Sequence, residues 1–225
     1  MTARRALLAG ATGLVGRHCL ARLAAAPEYA RVVAPVRRSI APPSATVQVV
    51  ETDFRDLSSL GPALVVDDVY CCLGTTIRKA GSRDAFRYVD LELPLALARA
   101  THARGARQFL LVSSVGADAG SRSFYLRVKG EVEARLAEIG FQTLLVFRPS
   151  LLLGDRDESR PGERIAQTLM RLLGPLLRGP LRRYAAVPAD AVAAALVAAA
   201  VGGYRGLQVF QSEQIVEIGR SAGRP

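Results

Sequence analysis

Residues 5–16 read Arg-Ala-Leu-Leu-Ala-Gly-Ala-Thr-Gly-Leu-Val-Gly, and the fold class follows from them. A short apolar run predicts a strand at 5–11, and the amphipathic run at 14–26 predicts a helix. The glycines at 10, 13 and 16 fall between the two. They let the chain turn tightly and let backbone N–H groups approach a pyrophosphate. The helix N-terminus adds a partial positive charge there. Gly10, Thr12, Gly13, Leu14, Val15 and Gly16 are therefore candidate cofactor contacts.

The same alternation continues outward. Strands are predicted at 31–36, 46–50, 65–73, 108–113 and 143–147, and helices at 84–104 and 124–139. The strands are nearly unbroken apolar runs, as in a sheet covered on both faces. This order predicts an α/β fold, a Rossmann-like doubly wound parallel sheet. Beyond residue 148 the pattern changes. The polar loop GDRDESRPGE leads into a helix at 164–173, then a Gly/Pro-rich stretch, an alanine-rich helix and a last strand at 207–210. We expect one domain over residues 1–225, with 148–225 contributing a small C-terminal cap on the substrate side.

Composition narrows the class. With 225 residues, 50% hydrophobic, the chain can bury a sizeable core, and disorder is excluded. Its 20 Gly and 12 Pro follow no short period, which excludes a collagen-like chain. The apolar stretch at 185–201 contains Pro188 and Asp190 and is mostly alanine, so it reads as a buried helix rather than a membrane span. The N-terminal apolar run breaks at once into glycines. No signal peptide is read, and the cytoplasm is the expected compartment. Three cysteines make no disulfide framework, and with His18 and His102 they offer no metal-ligand spacing. The net charge is +10, but the basic residues are spread along the chain, so a nucleic-acid partner is not expected.

Three further features carry chemistry. Arg37 and Arg38 close the second strand, where an NAD site would place an acid for the ribose 2′-hydroxyl. Paired guanidinium N–H groups suit a 2′-phosphate instead. Tyr125 and Lys129, four apart, share a helical face after the strand bearing Ser113 and Ser114. A phenol is a poor proton carrier near neutral pH unless a neighbouring cation stabilises its phenolate. A serine can hold the substrate oxygen. Only one of the two serines can face the site, and Ser114 is the expected one. Leu73 and Gly74 end the fourth strand, and Gly74 would let the backbone approach the cofactor. Cys71 and Cys72 read as small core residues. Asp53, after the third strand, reads equally as an adenine contact or as a plain loop carboxylate. His18 and His102 receive no role.

The segments GATGLVGR, CCLGTTIRKAG, LVSSVGADAGSRSFYLRVKGEVEA, VFRPSLLLGDRDESRPGE and LQVFQSEQIVEIG together resemble an atypical short-chain dehydrogenase/reductase. The resemblance is greatest to the Tat-interacting, metastasis-suppressor-type branch. It implies a Rossmann-type fold, NADP(H) as cofactor, and Ser114, Tyr125 and Lys129 as the catalytic set. It further implies Pro149 beside the nicotinamide, with Leu152 and Arg160 closing over the cofactor. Conventional members carry a catalytic Asn on the helix after the fourth strand; here that stretch reads Tyr88-Val89-Asp90. The expected activity is NADP(H)-dependent oxidation or reduction of a small-molecule carbonyl/alcohol substrate. The alternative is a non-catalytic NADP(H)-binding sensor or scaffold that regulates a protein partner.

Overall fold

In the computed structural model, which describes residues 3–154 and 185–222, seven parallel strands form one sheet. In chain order they are β1 (Arg4–Ala9), β2 (Tyr29–Val36), β3 (Val47–Glu51), β4 (Asp68–Cys71), β5 (Gln108–Val112), β6 (Thr143–Arg148) and, after a pair of two-residue strands, β9 (Gly206–Gln211). Their spatial order is β3-β2-β1-β4-β5-β6-β9. The order reverses beside β1, which is the topological switch point of a doubly wound sheet. The short strands β7 (Leu152–Leu153) and β8 (Val187–Pro188) pair separately.

Alternation along the strands builds two cores. Ala6 and Leu8 of β1 face α1 (Leu14–Ala25) and α6 (Ala189–Val201), where Cys19, Leu23, Val192, Ala195 and Leu196 are buried. Leu7 and Ala9 face the other layer, α4 (Leu93–His102) and α5 (Phe124–Ala137), where Leu97, Val128 and Val132 are buried. The alanine-rich stretch is thus a core helix, and β9 adds the last strand beside β6. A final helix, α7 (Ser212–Ser221), buries Ile215 on the α1 face. The expected helix at 164–173 lies outside the described residues.

The helix expected over 84–104 is not continuous. The chain instead runs α2 (Ile77–Ala80), α3 (Arg83–Arg87), a π turn at Tyr88–Glu92, then α4. Pro94 is the cause. It has no N–H to give the carbonyl four residues back, so the helix widens there, and the Leu93 N–H bonds to the Tyr88 carbonyl.

Candidate active site

The carboxyl ends of β1, β2, β4, β5 and β6 converge on one edge of the sheet. Gly10 leaves β1 with φ +86°, and a Cβ there would stand 2.6 Å from the Cys72 carbonyl oxygen of the neighbouring strand. The Gly13 N–H donates to the Gly10 carbonyl at 2.9 Å. Gly16 lies beneath the turn, where a Cβ would meet the Gly10 oxygen at 1.9 Å. Only hydrogen fits there, so α1 packs directly against the turn. Gly13 caps α1 with no side-chain acceptor, and the first turn carries no acid. The leading N–H groups are therefore open to an anion. Thr12 is exposed and Leu14 half-buried, whereas Val15 and Gly16 are buried. Val15 packs into the core.

Arg37 and Arg38 are both exposed just after β2. Neither makes an ion pair among the described residues. Asp53 is exposed too, and its carboxylate accepts from the Arg55 N–H at 2.9 Å, which closes a local turn. Phe54 then adopts φ +63°, a strained value for a bulky residue. Two hydroxyls hold it. Thr52 Oγ1 accepts from the Phe54 N–H, and the Tyr88 hydroxyl donates to the Phe54 carbonyl at 3.0 Å. No sequence pattern marked Tyr88 for this part.

Tyr125 and Lys129 project from one face of α5. Lys129 is buried, and its Nζ stands 2.8 Å from Asp90 Oδ1 in the π turn. Asp90 Oδ2 accepts from the Thr75 N–H at 2.9 Å. Burial works against the Lys129 charge, but the carboxylate of Asp90 and then the Tyr125 oxygen outweigh it. The ammonium is held above its ordinary range. Gly74 lies over this pair: a Cβ there would stand 3.6 Å from Asp90 Oδ1 and 3.9 Å from Lys129 Nζ. The half-buried Tyr125 ring leans on Phe86, with centroids 5.7 Å apart. Leu73 is half-buried at the end of β4, and burial pushes the Cys71 thiol beside it up to about 12. That protonated thiol is a packing group.

The two serines take different roles. Ser113 is buried and its hydroxyl donates to Glu133 of α5, which is paired with Arg148 at the end of β6. Ser114 is half-buried, and among the described residues its hydroxyl makes only a 3.4 Å contact to the Val115 carbonyl. Ser113 is thus committed to a buried network, and Ser114 has its hydroxyl available at the strand end. The Pro149 carbonyl accepts from the Val115 N–H at 3.0 Å, which ties β6 to the serine loop. Leu152 pairs with Val187 across β7 and β8. Arg160 and the loop at 155–163 lie outside the described residues.

A family model described as "NAD dependent epimerase/dehydratase family" matches residues 6–127. "Protein HTATIP2" of Rattus norvegicus is 35% identical, covering 100% of this chain and 93% of that protein. "Protein fmp52, mitochondrial" of Emericella nidulans is 38% identical over 74% of this chain and 75% of its own. A protein of the same name from Aspergillus niger is 34% identical, covering 92% of each. The fungal relatives are named as mitochondrial proteins, and on that finding the cytoplasmic expectation is corrected. The short apolar run at the N-terminus is no ground for assigning a compartment. Among solved structures, MoeE5 in complex with UDP-glucose and NAD superposes with a TM-score of 0.69 at 17% identity, over 97% of this chain and 82% of that one. A short-chain dehydrogenase/reductase superfamily protein from Agrobacterium tumefaciens with bound NAD gives 0.70 at 17% identity, over 92% and 77%. At that identity the likeness carries the fold alone. With the family model spanning more than half of the chain and a relative matched over its full length, this chain belongs to the NAD dependent epimerase/dehydratase family, as an atypical short-chain dehydrogenase/reductase.

Proposed function

We propose that the protein is an NADP(H)-dependent oxidoreductase acting on a small carbonyl or alcohol. The observation that carries this reading is Lys129, buried and charged one helical turn from Tyr125, beneath the glycine that follows β4. Gly10, Thr12, Gly13 and the first N–H groups of α1 would hold the pyrophosphate, with Leu14 and Val15 shaping the turn and Gly16 allowing its close packing. Arg37 and Arg38 would take the 2′-phosphate. Leu73, Gly74, Pro149 and Leu152 would line the nicotinamide half, and Asp53 the adenine end. Bound there, the nicotinamide supplies or accepts the hydride.

The chain's own groups handle the proton. In reduction, the Tyr125 hydroxyl gives a proton to the substrate oxygen as negative charge builds on it; in oxidation it takes that proton back. Ser114 donates a hydrogen bond to the same oxygen and fixes its position. Lys129 stabilises the phenolate form of Tyr125 and reaches toward a ribose hydroxyl.

One observation favours a second reading. The Lys129 charge is met by Asp90 rather than left entirely to the phenol, which suits a non-catalytic NADP(H) sensor that signals to a protein partner. Following NADPH absorbance over a panel of aldehydes, ketones and quinones separates the two. Substrate-dependent oxidation that disappears in Tyr125→Phe supports the enzyme. Tight NADPH binding with no turnover on any compound refutes it and leaves the sensor.

A further inference from the structure

Asp90 is a buried carboxylate in the π turn Tyr88–Glu92. It is 1% exposed, yet it meets a cation at 2.8 Å and a backbone N–H at 2.9 Å. A buried charge persists only when it is paired and hydrogen-bonded. The two oxygens have separate partners. Oδ1 faces the ammonium, and Oδ2 faces the Thr75 N–H on the loop after β4.

We propose that Asp90 is a positioning residue for the Tyr125–Lys129 couple, anchoring the Lys129 ammonium to the Gly74–Thr75 backbone and keeping it charged in a buried site. The assignment rests on the catalytic reading of Tyr125 and Lys129. Three elements bring titratable groups to the ammonium: the π turn brings Asp90, α5 brings Tyr125, and β4 brings the Cys71 thiol. Asp90 is the largest of their contributions that raise the ammonium, ahead of Tyr125 and Cys71. Without it, burial is opposed only by a phenol and a thiol, and the ammonium loses its proton more readily. Gly74 lies beside them. A Cβ there would only touch the pair, at 3.6 Å from Asp90 Oδ1 and 3.9 Å from Lys129 Nζ. The π turn, set by Pro94, delivers the carboxylate to this place.

The chain has only two lysines, Lys79 and Lys129, so the anchor can be read without turnover. Selective 13Cε-lysine labelling gives two NMR signals, and Lys129→Arg assigns them. In Asp90→Asn the Lys129 titration should fall by about one pH unit or more, a tenfold change in its ionisation, while Lys79 stays in place. Hydrogen exchange at the Thr75 amide should quicken. Asp90→Glu keeps the charge on a longer arm. It should retain the high Lys129 titration but lose the Thr75 protection, which also covers the case in which Asp90→Asn does not fold. An unchanged Lys129 titration in folded Asp90→Asn overturns the proposal, as does loss of the high titration in folded Asp90→Glu. If those shifts occur and no carbonyl is ever turned over, the oxidoreductase reading fails and the anchor stands. If turnover is found, its pH profile in Asp90→Asn should lose activity on the alkaline side earlier than the parent.

Discussion

Removing the buried carboxylate at the start of β4 should change how stability depends on pH. Asp68 is fully buried, and Tyr29 donates to it at 2.7 Å while Arg4 meets it at 2.5 Å. Tyr70 bonds in turn to Tyr29. Burial outweighs these partners and raises the Asp68 carboxyl to about 6. A raised folded-state value means that the group favours folding while it is protonated. Its contribution is complete below the unfolded value near 4 and is lost as pH climbs through 6. A rise of about two units is worth about 3 kcal/mol. Asp68→Asn cannot titrate, so its fixed offset cancels when the comparison is made across pH. The difference in unfolding free energy, parent minus variant, should therefore decline by about 3 kcal/mol between about pH 4 and about pH 7. Urea unfolding at constant ionic strength, followed by circular dichroism, measures it. A difference that stays flat across that range, or one that grows with pH, would overturn this account of Asp68. It would mean that the pairing with Arg4 and Tyr29 dominates burial.

Other predictions concern the proposed site. Tyr125→Phe keeps the ring against Phe86 and removes the hydroxyl; turnover should fall about 100-fold or more with cofactor affinity little changed, as steady-state kinetics and cofactor titration will show. Replacing Arg37 and Arg38 together with alanine should weaken NADP(H) about tenfold and leave NAD(H) unchanged, because a charged hydrogen bond is worth about 1.5–3 kcal/mol and these side chains are solvent-exposed. Parallel titration of both cofactors at fixed salt checks this, and equal affinities in the parent would sink the NADP(H) assignment. Gly16→Ala forces a Cβ to within 1.9 Å of the Gly10 carbonyl. It should cost about 1–3 kcal/mol of stability and most dinucleotide binding, measured by denaturation and fluorescence titration.

What could be read from the chain alone was what is encoded locally. The glycines at 10, 13 and 16 are a strand-to-helix signal within one turn, and Tyr125 and Lys129 are related by one turn of helix. Alternation told that one serine must face inward, but not which. That depends on Glu133, twenty positions later, reaching back to Ser113. The Asp90–Lys129 pair joins residues far apart in the chain, and its register depends on a widened turn that helical periodicity does not describe. Pro94 was the available clue, since an interior proline argues against an unbroken helix over 84–104. The Asp68 cluster was equally hidden. Its members come from β1, β2 and β4 and meet only once the strands are in register.

These placements divide the site's charge unevenly, and the division bears on function. At the end proposed for the adenosine, Arg37 and Arg38 stand exposed with no acid paired to them among the described residues. At the proposed reacting end, the Lys129 charge is met at 2.8 Å by Asp90. In the proposed site, attraction for a dinucleotide would thus be concentrated at the β2 edge and the α1 N-terminus, while the Lys129 ammonium already has a carboxylate partner before anything binds. Recognition and chemistry are then separable. Losing the arginines should alter which cofactor binds and leave the pH dependence of turnover alone. Losing Asp90 should do the reverse. A single variant that moved both would mean that the two ends share one electrostatic field, and that the division drawn from the ion pairs is wrong.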